Sequence, residues 1–239
     1  MRSTFVFAAC CFVTSTAFGQ AATPPDPFKG SATLGYLATS GNTDSTNANA
    51  ALGIELQREA WGHNFDAAAI TASNDDVKTA EAYRADYKAR RSFGENDRSY
   101  LFGTAGWRQD QFSAYDREVS SAIGYGRKLI DNATHALNAE IGAGSRLAEL
   151  RDGPEERDGI ARGALDYTWT LSETSSFEQD LIIESGSTNT AIESVSALKA
   201  RIVGALAVVL SYRVKRNSDV PVGVAARDTF TSVSLEYGF

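Results

Sequence analysis

The chain has 239 residues, with 23 Lys and Arg against 30 Asp and Glu and a formal net charge of −7. An acidic balance without a basic cluster excludes a generic nucleic-acid surface. No apolar run reaches the roughly 18 residues that a helical membrane span needs, so membrane-spanning helices are excluded as well.

The first residues have the pattern of a secretory signal. Arg2 supplies a positive charge, Phe5 to Val13 is apolar, and Ala17-Phe18-Gly19 offers small residues for cleavage. We assign 1–21 to the signal peptide, 22–28 to a Pro-rich periplasmic linker, and 29–239 to the folded domain. Both cysteines, Cys10 and Cys11, lie in the signal, so disulfides and thiolate metal sites are not expected in the mature chain.

From Lys29 the sequence repeats one theme, alternation of apolar and polar residues broken by polar turns, which is the signature of half-exposed β-strands. The first segment, about 29–40, sets Ala32, Leu34, Tyr36 and Ala38 against Thr33, Gly35 and Leu37. The second, about 44–57, sets Ala48, Ala50, Leu52, Ile54 and Leu56 against Asn49, Gly53 and Glu55. The third, about 61–74, carries Trp61, Phe65, Ala67 and Ala69 opposite Asp66.

The fourth, about 80–92, is the clearest. Tyr83, Ala85, Tyr87 and Ala89 face one way and Arg84, Asp86, Lys88 and Arg90 the other, whereas a helix would spread those charges around its whole circumference. Segment five, about 99–111, has aromatics on both faces, Trp107 on one and Tyr100 and Phe102 on the other, so its orientation stays open. Segments follow at about 117–130, 135–148, 159–171, 175–186, 193–202, 206–215 and 229–239. The tenth has the weakest alternation. The count is about twelve, and an even number suits an up-and-down antiparallel transmembrane β-barrel.

The breaks alternate in length. Glu59–Ala60, Gly94–Asp97, Asp131–Thr134, Leu171–Thr174 and the Gly204 region are short; the others, among them Glu149–Asp158, Ser185–Ile192 and Asn217–Asp228, are mostly longer and more charged. Short periplasmic turns and long outer loops follow this rule. On that orientation Trp61, Phe65, Tyr125, Trp169, Phe177, Tyr237 and Phe239 gather at the periplasmic edge. Tyr83, Trp107 and Phe230 gather at the outer one, as two interfacial girdles.

The closing segment, TFTSVSLEYGF, ends with Leu235, Tyr237 and Phe239 on one row, and it resembles the signal read by the outer-membrane assembly machinery of Gram-negative cells. Ser40-Gly41-Asn42-Thr43 after the first strand, and Arg213 to Pro221 followed by Asp228-Thr229 and the final strand, resemble the opening and the last hairpin of the salt-induced outer-membrane protein family (domain of unknown function 481). The family typically has lysines before its Asp-Thr pair, where this chain has Ala225-Ala226-Arg227. The resemblance implies an outer-membrane barrel and brings no known reaction.

No catalytic constellation is expected. The only histidines, His63 and His135, sit at predicted periplasmic turns on different hairpins, and no G-x-S-x-G turn exists. No cofactor or metal is expected either: Asp75-Asp76 and Glu155-Glu156-Asp158 are acidic loop clusters without EF-hand spacing.

Chemistry is left to the inner face, where Arg84, Asp86, Lys88, Arg90, Glu140, Arg146, Arg162, Asp166, Glu178, Asp180, Glu184, Arg213, Lys215 and Glu236 mix both signs. Such a lumen reads as a narrow passage for ions or small solutes, or as a polar plug in a closed scaffold. The expected partners are outer-membrane lipid, lipopolysaccharide and the barrel assembly machinery, with no nucleic acid, and the expected state is a monomer.

Overall fold

The computed structural model describes residues 27–39, 45–75, 77–111, 115–150, 155–220 and 225–239. The assigned signal peptide, nearly all of the linker, and the Ser40-Gly41-Asn42-Thr43 motif fall outside the described residues. Twelve strands form one closed antiparallel barrel in which each strand pairs with its sequence neighbours and β1 pairs with β12. They are β1 (Phe28–Thr39), β2 (Ser45–Arg58), β3 (Trp61–Asn74), β4 (Val77–Phe93), β5 (Ser99–Asp110), β6 (Tyr115–Asp131), β7 (His135–Leu150), β8 (Glu155–Ser172), β9 (Ser175–Ser185), β10 (Thr190–Val203), β11 (Leu206–Asn217) and β12 (Arg227–Gly238).

Each strand contains an alternating segment of the sequence, because a period of two is the only pattern that keeps one row of side chains outside a closed sheet. The outward row is apolar and bare: Leu34, Tyr36, Ile123, Ile141 and Val233 are each more than 60% exposed. A soluble protein does not leave so large an apolar surface in water, and the arrangement is that of a membrane-spanning barrel. Trp61, Tyr125, Trp169, Tyr237 and Phe239 stand exposed toward the end that carries the short turns, with Tyr83 and Trp107 toward the other.

The girdle assignment of Phe230 is corrected. Phe230 pairs with Arg213, on the lumen row of β12 beside Ser232 and Ser234, and it lines a cavity with Arg84 and Arg108. Even-numbered residues of β12 point inward, so the outward row passes through Thr229 and Thr231 instead.

The structure settles the open orientation of β5. Trp107 and Leu101 face out, while Tyr100 and Phe102 are buried in the lumen, 1% and 4% exposed. The neighbouring strands make room for them with glycine: a Cβ on Gly126 would stand 2.2 Å from the Tyr100 ring, and one on Gly124 would stand 2.7 Å from that of Phe102.

β6, β7 and β8 are 17, 16 and 18 residues long, beyond the about 9–11 that cross a bilayer. Their surplus extends at the outer end, where the outward row turns charged and pairs as Arg117–Glu149 (2.8 Å) and Arg157–Glu155 (3.7 Å). The break expected over 149–158 is therefore shorter than its composition suggests. Likewise the one expected over 185–192 is only the turn Gly186–Asn189, since β10 starts at Thr190.

The barrel closes on its last residue. Gly30 and Phe239 exchange two main-chain hydrogen bonds of 2.7 and 2.8 Å, and the Phe239 ring covers Gly30 so closely that any Cβ there would meet it at 2.3 Å. Above that point the ladder between β1 and β12 runs only from Ser31–Gly238 to Leu34–Leu235, the shortest of the barrel's ladders. Asn49 on β2 reaches past Gly35 to donate to the Ser234 hydroxyl on β12 at 3.0 Å, which ties the two ends of the sheet together.

Candidate functional site: the charged lumen

Ladder parity puts all fourteen charged side chains singled out for the lumen on the inner row: Arg84, Asp86, Lys88, Arg90, Glu140, Arg146, Arg162, Asp166, Glu178, Asp180, Glu184, Arg213, Lys215 and Glu236. They do not form one cluster. Four ionic groups lie at different depths, and three of them span the lumen rather than follow its wall.

The tightest surrounds Glu140, whose side chain has no exposed surface. It accepts from the Tyr100 hydroxyl at 2.9 Å and from Arg162 Nη1 at 3.0 Å, and it pairs with Lys88 on β4. Lys88 also lies 3.8 Å from Asp166, and Arg162 lies 3.8 Å from Glu184. Both cations rest on the Phe102 ring, Lys88 Nζ at 5.6 Å and Arg162 Cζ at 5.5 Å from its centre. A buried carboxylate with two cations, a hydroxyl donor and an aromatic floor is a satisfied network that stiffens the wall.

Nearer the outer mouth, Glu193 of β10 receives three arginines: Arg84 at 3.7 Å, Arg108 at 3.5 Å and Arg213 at 3.5 Å. Arg108 is also 3.8 Å from Asp86. Because β4 and β10 stand six strands apart in a ring of twelve, the Arg84–Glu193 pair connects opposite walls. Above it Lys215 of β11 donates to Glu118 of β6 at 3.1 Å, again across the lumen. At the end with the short turns Lys199 holds Glu236 at 2.8 Å and Glu178 at 3.7 Å.

Between these crossings lies open space. A cavity of about 480 Å³ is lined by Asp66, Arg84, Asp86, Lys88 and Arg90 on one wall and by Arg162, Asp166, Asp180 and Glu193 on the other. A second, of about 300 Å³, opens at the mouth with the short turns beside Lys199, Arg201 and Glu236.

The outer mouth is narrowed by the Gly186–Asn189 turn, which folds inward. Asp158 accepts from the Ser187 hydroxyl (2.6 Å), the Thr188 amide (2.9 Å) and the Thr188 hydroxyl (3.0 Å). Those donors, the Ser187 hydroxyl first, hold the carboxyl of Asp158 down at about 2, against an ordinary 3.8. Asp158 lies in the outer extension of β8, next to the outward charge of Arg157. Asn189, 1% exposed, donates to Asn217 and accepts from the backbone of Ser218 and Asp219, while its own carbonyl takes a hydrogen bond from Arg146. Tyr115, Ala148, Leu150 and Val220 form a small apolar cluster.

Sequence reading missed Glu193, Arg108, Glu118 and Asn189. For Glu193 a signal existed, since it shares the odd-numbered row of Lys199 and Arg201 on β10. Arg108 was masked by the unresolved facing of β5, and Asn189 by its place in an expected loop.

Both histidines face outward at the end with the short turns. His63 Nδ1 lies 2.8 Å from the Tyr87 hydroxyl and His135 Nδ1 lies 2.9 Å from that of Tyr167. Their rings pack on Trp61 and Trp169. No serine, cysteine or carboxylate hydrogen-bonds to either ring among these contacts. Among the described residues no group of three or more His, Cys, Asp or Glu could hold a metal ion.

Residues 32–239 match the model of a protein family described as "Protein of unknown function, DUF481". The chain belongs to that family. A relative from Escherichia coli (strain K12), the uncharacterized protein YdiY, is 33% identical over 231 residues, covering 93% of this chain and 87% of its own. Among solved structures, the NanC porin aligns over 87% of this chain and 97% of its own, at 10% identity and a TM-score of 0.47. The KdgM porin aligns over 88% and 99%, at 9% and 0.45, and the translocator domain of the autotransporter NalP from Neisseria meningitidis over 91% and 90%, at 9% and 0.45.

Proposed function

We propose that this family member is a monomeric outer-membrane barrel whose lumen is a narrow, mixed-charge passage for ions or small polar solutes, and that it performs no catalysis. The observation that carries the reading is the combination of an apolar exterior with a charged interior that still holds a cavity of about 480 Å³. Charge has no purpose on a lipid face, where it costs about 2–4 kcal/mol at the midplane, but it tunes passage in a confined lumen. Phe239, Tyr237 and Leu235 serve in this reading as the signal for the assembly machinery. Lipid and lipopolysaccharide surround the outward row, and the link to salt or envelope stress rests on the family resemblance.

A second reading, a closed structural or surface-interaction barrel, has its own observation: the Arg84–Glu193 contact between opposite walls. Planar-bilayer recording separates the two. An open passage gives discrete conductance steps, and replacing Arg84 and Arg90 with Ala shifts selectivity toward cations, since two positive charges leave the lumen. Silence in the parent, with conductance only in the alanine variant, would establish the closed scaffold.

A further inference from the structure

The two main ionic groups of the lumen differ in how well they are satisfied. Around Glu140 the contacts are at made hydrogen-bond distance: 2.9 Å from Tyr100 and 3.0 Å from Arg162. Around Glu193 the three guanidiniums stand off at 3.5, 3.5 and 3.7 Å. Charge-assisted hydrogen bonds close to about 2.7–2.9 Å when they form. Moreover, Nε of Arg84 and Nε of Arg108 are buried without a hydrogen-bond partner. Buried donors left unmade are costly, and each one in a native structure calls for a partner, whether water or a bound acceptor.

The charge count points the same way. Within ion-pair distance Arg84, Arg108 and Arg213 face Glu193, with Asp86 beside Arg108, so three cations meet two carboxylates there, while Glu118 stands across the ladder from Arg108. Lys215, the next cation outward, is matched by Glu118. Arginine presents a planar fork of donors suited to an oxyanion, and three such forks can serve more acceptors than one carboxylate offers. The group is also reachable from two sides. Arg84, Arg108 and Glu193 line both the cavity of about 480 Å³ and a small one of about 50 Å³, whose lining Arg213, Lys215 and Asp110 join.

We propose that these three arginines form a binding site for a small oxyanion, a solute carboxylate or phosphate. Glu193 is its tethered competitor: it holds the arginines together when the site is empty and swings aside when an anion enters. The site deepens the passage reading, since it requires a lumen that solutes can reach, and it makes this depth the selective step for anionic solutes.

Calorimetric titration of the detergent-purified barrel with citrate, and separately with inorganic phosphate, at low ionic strength tests the inference. Citrate binds the parent. Glu193→Gln tightens that binding at least tenfold by removing the competitor, and Arg108→Gln or Arg213→Gln weakens it at least tenfold, with folded mobility on unboiled gels retained. Where Glu193→Gln fails to assemble, the parent and Arg213→Gln decide. Absence of binding in the parent and in Glu193→Gln, or undiminished binding in the arginine variants, overturns the site. Citrate binding without bilayer conductance leaves the site standing and removes the passage, whereas conductance without binding removes the site alone.

Discussion

Glu140→Ala is the substitution that the lumen network should tolerate least. The carboxylate is fully buried and is the common partner of Lys88, Arg162 and Tyr100. Its removal leaves two cations on the Phe102 ring with only Asp166 and Glu184 nearby, each at 3.8 Å, too far for a strong pair. Breaking a buried ion pair from one side costs about 3–5 kcal/mol, because the charge left behind stays desolvated. The lost Tyr100 hydrogen bond adds about 1 kcal/mol. The cost therefore belongs to the orphaned cations rather than to the lost attraction. A triple change of Glu140→Leu, Lys88→Met and Arg162→Met, which removes all three charges, should be within about 1–2 kcal/mol of the parent. Urea unfolding in lipid vesicles, followed by gel mobility and tryptophan fluorescence, measures both. An alanine variant destabilised by less than about 1 kcal/mol, or a triple variant worse than the single one, would refute the reasoning.

Deleting Phe239 removes both main-chain bonds to Gly30 and the ring that covers it; membrane levels of the folded barrel should drop sharply, and immunoblots of membrane fractions showing normal amounts would contradict this. His63→Ala and His135→Ala each delete one tyrosine hydrogen bond at an exposed girdle, so bilayer conductance should be unchanged and stability should fall by no more than about 1 kcal/mol. Asp158 has a folded pKa below its unfolded value, so its hold on the Gly186–Asn189 turn is complete above the ordinary 3.8 and is lost as pH falls through about 2. Amide exchange of Thr188 should therefore stay slow at pH 5 in the parent and be fast at that pH in Asp158→Ala; equal protection in both would show that the turn is held by Asn189 alone.

The twelve strands and their two faces were legible in the sequence because a closed sheet between lipid and a polar lumen imposes alternation on every strand, and alternation is a local property. Lys88, Arg90 and Asp166 can be set on the inner row from their immediate neighbours. The same rule puts Phe230 inside, and counting it with the outer girdle ignored its parity. Alternation could not orient β5, where both rows are aromatic. Only the assembled barrel brings Tyr100 and Phe102 against Gly124, Gly126 and Gly142 and so decides which row is buried. Nor could local pattern say which charges meet. Arg84 and Glu193 are more than a hundred positions apart, and they touch because closure of twelve strands sets β4 opposite β10. Partner choice across a lumen depends on strand number and stagger, which belong to the whole sheet and to no segment of the chain.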